Sequence, residues 1–258
     1  MHFSVWDILL ITLVPAQATL VAYLYQPKWK AFLLSLPIPF TLAVLALGRP
    51  VDATNALALL LMVGFTHAVR LLYTRTGAPI IPAIVVSALV YCGAGAMLLP
   101  VIPTDGGTFW AAAIGAFAVS AVLYRLTPYR AEPGHRTPLP VWIKYPAIFA
   151  VILFLVCIKS WLGGFLTMFP MVGTISAYEA RHSLWTICRQ MPVFSMPMIL
   201  MLATLRLAQP ELGIGPAIIL GWIVFVTGLL PLTWRMWRND ARSSGAVALT
   251  ETGHARAI

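Results

Sequence analysis

Gly163-Gly-Phe-Leu-Thr-Met-Phe-Pro-Met-Val-Gly-Thr-Ile-Ser-Ala-Tyr-Glu-Ala-Arg-His182 is an apolar segment broken at Pro170 and closed by a cluster of Tyr178, Glu179, Arg181 and His182. Its frame occurs earlier as Ala31-Phe-Leu-Leu-Ser-Leu-Pro-Ile-Pro-Phe-Thr41. A shift of 133 positions aligns Phe32 with Phe165, Leu33 with Leu166, Pro37 with Pro170 and Thr41 with Thr174. Further matches keep the same order. Val5-Trp6 pairs with Val141-Trp142 at offset 136, Trp29 with Trp161 at 132, and Pro82-Ala-Ile-Val85 with Pro216-Ala-Ile-Ile219 at 134. Arg70 and Arg206 each close the third apolar run of their half. The shared order predicts an internal duplication.

The chain around this pair is too apolar for water. Its 258 residues are 60% hydrophobic and 10% charged, against about a quarter charged in soluble domains. With mean hydropathy +0.88, lipid is the expected solvent. The net charge of +9 does not point to nucleic acid, because the basic residues fall singly between apolar runs and form no stripe. Cys92, Cys157 and Cys188 sit inside apolar runs without metal-ligand spacing and read as small core residues. Met1-His-Phe-Ser carries no basic residue before the first run, so that run is expected to be retained as a span.

Spans of about 20 residues are predicted at 5–25, 31–48, 54–73, 79–101, 108–125, 140–159, 163–179, 184–208 and 213–234, nine in all. Short connections carry turn residues, as in Gly48-Arg-Pro50, Gly77-Ala-Pro79 and Asp105-Gly-Gly107. The longest connection, Thr127 to Pro138, is the one internal linker. Alternate connections then divide the 17 lysines and arginines into 14 on one side and three (Arg49, Lys159, Arg206) on the other. The positive-inside rule places the N-terminus outside and the C-terminus in the cytoplasm.

Four spans on either side of an odd separator give the second unit the opposite polarity to the first. The expected fold class is therefore all-α: a polytopic membrane protein with an inverted repeat of four-helix units. The units are 1–101 and 140–234, joined by a separator helix and linker at 102–139 and followed by a polar, disordered cytoplasmic tail at 235–258. Inverted repeats are a common plan of secondary transporters, with sites where broken helices meet near the midplane. The broken elements here hold Pro37 and Pro170. A proline in a span frees a carbonyl for a neighbour, water or substrate.

The segment from Lys159 to about Thr233 resembles the small bacterial GlpM-type membrane proteins. The shared features are a lysine, a glycine before an apolar run, a mid-span Phe-Pro pair and a charged Tyr/Glu/Arg patch. Their counterparts are Lys159, Gly163 or Gly164, Phe169-Pro170 and Tyr178 to Arg181. The first unit lacks the Phe-Pro pair and the acid. The resemblance implies architecture and, with the compact loops, a bacterial inner membrane; it carries no mechanism.

Candidate chemistry lies at span ends. Glu179 and His182 share a helix face. That spacing serves metals only when other helices repeat it, and no second Glu-x-x-His occurs, so no metal and no cofactor are expected. A local Glu179–His182 or Glu179–Arg189 ion pair, a gate, a proton relay or an anion-binding group remain open. His67 and Arg70, one turn apart, offer a second anion-binding pair or an interfacial anchor. Asp7 reads as an interfacial helix-start acid or a coupling carboxylate. Trp234, Trp237, Arg235 and Arg238 read as an anchoring belt. No nucleophile elbow, paired intramembrane aspartates or phosphate loop occurs. The functions left open are a small transporter or permease for an anionic or amphipathic solute or lipid, a structural or assembly subunit of a membrane complex, and an intramembrane enzyme acting on lipid. The partners expected are the bilayer and either other membrane subunits or further copies of the chain.

Overall fold

The computed structural model describes residues 5–135, 140–157 and 163–255, and every regular element among them is helical. In order these are α1 (Val5–Tyr23), α2 (Pro27–Leu34), α3 (Ile38–Leu47), α4 (Ala53–Arg75), α5 (Ile80–Leu98) and α6 (Gly106–Leu126). They are followed by α7 (Val141–Cys157), a 3-10 turn (Gly163–Met168), α8 (Met171–Glu179), α9 (Leu184–Leu212) and α10 (Ile214–Ala255). Among the described residues, seven helical stretches are long and apolar enough to cross a membrane, with α2 and α3 counted together as Pro27–Leu47. The spans expected at 140–159 and 163–179 correspond to shorter pieces, the 17-residue α7 and the 3-10 turn with the nine-residue α8. The helix ending the second unit does not stop at 234 but runs on as part of α10.

Turn chemistry sets the ends. Asp52 accepts from the Thr54 amide at 2.8 Å while Asn55 accepts from the Asp52 amide at 2.8 Å, a capping box that starts α4. Asp105 caps α6 through the Thr108 amide at 2.9 Å. Gly48, at φ 62°, ends α3 in the left-handed region that disfavours a side chain.

The two proline breaks have the same backbone geometry. Pro37 has φ −81°, ψ 40°, and Pro170 has φ −74°, ψ 58°, both close to an inverse γ-turn. The amide of Ile38 reaches back to the Leu36 carbonyl at 2.9 Å, and that of Met171 to the Phe169 carbonyl at 2.7 Å. Helix then restarts through Thr41 N–H to the Pro37 carbonyl at 3.0 Å and Thr174 N–H to the Pro170 carbonyl at 2.8 Å. The proline and threonine pairs of the sequence echo thus fall on matching turns, whereas Phe32 and Leu33 lie in an α-helix and Phe165 and Leu166 in a 3-10 turn. Side chains from other helices hold carbonyls at both breaks. Gln17 on α1 donates to Leu33 and Leu36 at 3.0 and 3.3 Å, and Tyr91 on α5 donates to Phe165 at 2.8 Å.

Helices α4 and α9 pack together at the centre, with α6 against both. The hydrophobic window of α9 is 67% buried, against 22% for α6 and 28% for α5 and for α10. The rim helices turn Leu89, Val90, Met97, Ile114 and Ile219 outward, each more than half exposed. An apolar rim of this extent is stable facing acyl chains rather than water. The α9–α10 contact is close because Gly228 lies under Pro197, where an added Cβ would sit 3.1 Å from the proline Cβ.

Contacts between the halves are reciprocal. Arg70, near the end of α4, lies 4.4 Å from the ring centroid of Trp185 at the start of α9. Arg206, near the end of α9, donates to the Val51 carbonyl just before α4 at 2.9 Å. On α10, Trp222 Nε1 donates to the Thr41 hydroxyl at 2.8 Å, while Tyr91 on α5 reaches the other broken element. The first helices of the halves, α1 and α7, pack on each other.

Each of these carbonyls also accepts from the backbone, so removing the side-chain donor costs one hydrogen bond and strands no acceptor. Gln17→Leu and Tyr91→Phe are each expected to lower stability by about 0.5–1.5 kcal/mol, measured by unfolding in detergent. The surface variant Thr204→Ala serves as a control and is expected to be neutral.

Candidate functional site

The two breaks face one cavity of about 60 Å³. Pro37, Pro39 and Phe40 line it from one half, Phe169, Pro170 and Gly173 from the other, with Met62 and Thr66 of α4 and Met191 and Phe194 of α9 closing it. No ionisable side chain is among the lining residues. The two lining hydroxyls are engaged elsewhere, Thr66 with the Val63 carbonyl at 2.8 Å and Thr167 with Asn55 at 2.8 Å. Such a cavity excludes water and takes apolar groups.

Charge gathers at one end of the bundle, at the last turn of α8. Glu179 pairs with Lys144 of α7 at 2.9 Å, with the two side chains 3% and 4% exposed. Lys30 of α2, 1% exposed, donates to the Glu179 backbone carbonyl at 3.1 Å and to that of His135 in the linker at 2.6 Å. Arg181 donates to the Tyr178 carbonyl at 3.1 Å and lies 5.1 Å from that residue's ring centroid. His182 is exposed and meets the His135 ring edge-on at 4.6 Å. The linker is held close here, since a Cβ at Gly134 would fall 2.6 Å from Tyr25. Burial, followed by the charges of Arg181, His182 and Lys30, holds the His135 imidazole below its usual 6.5.

Of the residues singled out in the sequence, Tyr178, Glu179, Arg181 and His182 do share one cluster, and Pro37 and Pro170 share the cavity. Arg189 belongs elsewhere. It forms a bidentate pair with Asp240 of α10 at 2.9 and 3.2 Å and donates Nε–H to the Thr127 carbonyl at 3.2 Å. The expected Glu179–Arg189 pair is therefore corrected to Glu179–Lys144 and Arg189–Asp240. His67 and Arg70 do not converge on a common anion site. The His67 ring bonds its own helix at the Val63 carbonyl, 2.9 Å away, and Arg70 packs on Trp185. Asp7, expected at the interface, is buried at 1% exposure. The anchoring belt divides, because Trp234 is exposed whereas Trp237 packs inward on Trp29 and Phe32 at 5.1 and 6.0 Å. Lys159 and Trp161 lie outside the described residues.

Sequence reasoning took Lys30 and Lys144 as topology markers and missed them as site residues. Each sits inside an aromatic-rich apolar stretch, Trp29-Lys30-Ala-Phe32 and Trp142-Ile-Lys144-Tyr145, a context that suits a buried cation. Glu132 was also missed. Its carboxylate accepts from the Trp185 and Thr186 amides at 3.1 and 2.6 Å, so the linker caps α9 from outside that helix. Comparisons with protein-family models, curated proteins and solved structures find no match.

Cutting one partner from a buried ion pair strands the other. Glu179→Gln is expected to destabilise the chain by about 3–5 kcal/mol, and Glu179→Leu with Lys144→Met to recover most of that, both read by unfolding in detergent. In an NMR titration the His135 midpoint is expected below 6.5 and should move upward in Arg181→Ala. The lowered value means that packing of the neutral ring contributes stability above pH 6.5 and that this contribution is lost as pH falls through the folded-state midpoint.

Proposed function

We propose that the chain is a small secondary transporter or permease for an anionic or amphipathic solute or lipid, built as an inverted pair of four-helix units crossing the membrane nine times. Its N-terminus lies outside and its C-terminus in the cytoplasm of a bacterial inner membrane. The observation that carries this reading is the meeting of two proline-broken elements, alike in backbone geometry, on one apolar cavity. The reciprocal placing of Arg70 and Arg206 supports the inversion, since each closes one central helix and touches the start of the other. On this reading the GlpM-type resemblance describes one unit of the two. Lys30, Lys144 and Glu179 join α2, α7 and α8 at the cytoplasmic end and act as the gate on that side. Broken helices provide the hinges for opening it.

A second reading, a structural or assembly subunit of a membrane complex, is favoured by one observation. The cavity lining has no carboxylate or histidine to couple a proton. The two readings separate on reconstitution. In liposomes the pure chain is expected to carry a short-chain anionic amphiphile, and Arg181→Ala to slow the flux about tenfold, in keeping with loss of a charge-assisted contact, at unchanged folded yield. No flux, together with constant co-purification with the same partners after mild extraction, selects the subunit reading.

A further inference from the structure

We propose that the cleft lined by Lys28, Arg130 and Arg189, where the starts of α2 and α9 meet the linker, binds a phosphate ester. The inference goes beyond the transporter reading and does not depend on it. The cleft shares no lining residue with the cavity at the two prolines.

The first support is space. The cleft has a volume of about 300 Å³, at the lower end of the range for small-molecule sites and more than a bare ion fills. Its walls come from the start of α2, the linker after α6, the first turns of α9 and, at Asp240, α10. Gln26 and Arg130 are exposed, so the cleft is open to a ligand from outside the bundle.

The second support is charge. Both carboxylates in the lining are committed. Glu132 accepts the Trp185 and Thr186 amides at 3.1 and 2.6 Å and the Thr186 hydroxyl at 2.7 Å. Asp240 accepts from Arg189 at both oxygens. Lys28 and Arg130 differ. Among the described residues, neither side chain donates a hydrogen bond or pairs with a carboxylate. The lining thus sets three cations against two carboxylates. The start of α2, which no side chain caps, adds the positive end of its dipole. A phosphate ester brings the negative charge that answers this surplus.

The third support is that Arg130 is positioned in advance. Its guanidinium lies 4.9 Å from the ring centroid of Trp185, and that ring is fixed by its Nε1–H to the Pro128 carbonyl at 2.8 Å. Stacking uses the face of a guanidinium and leaves its edge of N–H donors, which suits phosphate oxygens. Lys28 adds a point charge from a different wall, so the oxygens of a tetrahedral group can meet both. The ester can be a small soluble molecule or the head of a lipid seated against this end of the bundle.

The test uses the full chain in maltoside micelles, which contain no phosphate. In one arm, glycerol 3-phosphate and glycerate are titrated by calorimetry. In the other, phosphatidylglycerol and diacylglycerol are added, and the lipids retained are counted by native mass spectrometry. A soluble ester predicts one-to-one binding of glycerol 3-phosphate, at least about tenfold tighter than glycerate. A lipid head predicts one phosphatidylglycerol kept per chain and no diacylglycerol. In whichever arm binds, Lys28→Gln and Arg130→Gln are each expected to lower binding about tenfold through loss of a charge-assisted contact. Neither side chain is buried, so both variants should fold. Arg75→Gln, at an exposed arginine ending α4 outside the cleft, is expected to change nothing. Absence of binding in both arms would overturn the proposal, as would glycerate binding as tightly as glycerol 3-phosphate. Undiminished binding in both cleft variants would overturn it too. An equal loss in Arg75→Gln would show general surface charge in place of a site.

Discussion

A proline inside a bundle leaves a carbonyl without its helical donor, and in a hydrocarbon setting that carbonyl has to find another partner. This constraint operates twice here, at Pro37 and at Pro170, and much of the architecture answers it. Gln17 reaches in from α1 to the Leu33 carbonyl, the one that Pro37 deprives of its α-helical donor, and Tyr91 from α5 to the Phe165 carbonyl in the 3-10 turn that precedes Pro170. The chain between each break and its partner helix is thereby fixed, and the two turns face each other across a cavity too apolar to hold water.

The second organising term is electrostatic and is densest at the end that holds Lys30, Lys144 and Glu179. The position equivalent to Glu179 in the first unit is Ala46, and that equivalent to Lys30 in the second is Gly163. On the proposed duplication the units share a backbone plan, while the buried Lys30, Lys144 and Glu179 gather at one end. The pair Arg189–Asp240 and the Glu132 cap on α9 add further polar ties at that end. At the opposite end Arg206 rests on the Val51 carbonyl, Asn55 bonds Thr167 and Asp7 is buried in the first turn of α1. Opening the end that holds Lys144 and Glu179 means separating buried ions, which requires a compensating charge.

Much of the fold was legible in the sequence because it depends on local rules. The proline positions, the turn residues around Asp105 and the apolar lengths all act within one element. The partners of the charged side chains were not legible. Glu179 meets Lys144, 35 positions away, and Arg189 meets Asp240, 51 positions away, and both pairings depend on how helices turn about their axes. Neighbours in sequence misled for the same reason, as with His67, whose ring is held by its own helix. The burial of Lys30 was hidden by its place among interfacial residues, where a long side chain ordinarily reaches out to water.

The central claim, that two equivalent broken elements traverse the membrane in opposite directions, is tested most directly by the sidedness of one matched pair of positions. Arg49 and His182 are equivalent at offset 133, and both are exposed just beyond α3 and α8 respectively. In a background lacking Cys92, Cys157 and Cys188, Arg49→Cys and His182→Cys can each be exposed to a membrane-impermeant maleimide in intact cells. Inversion requires labelling of the thiol at 49 from outside and of the thiol at 182 only after permeabilisation. Labelling of both from the same side would contradict it.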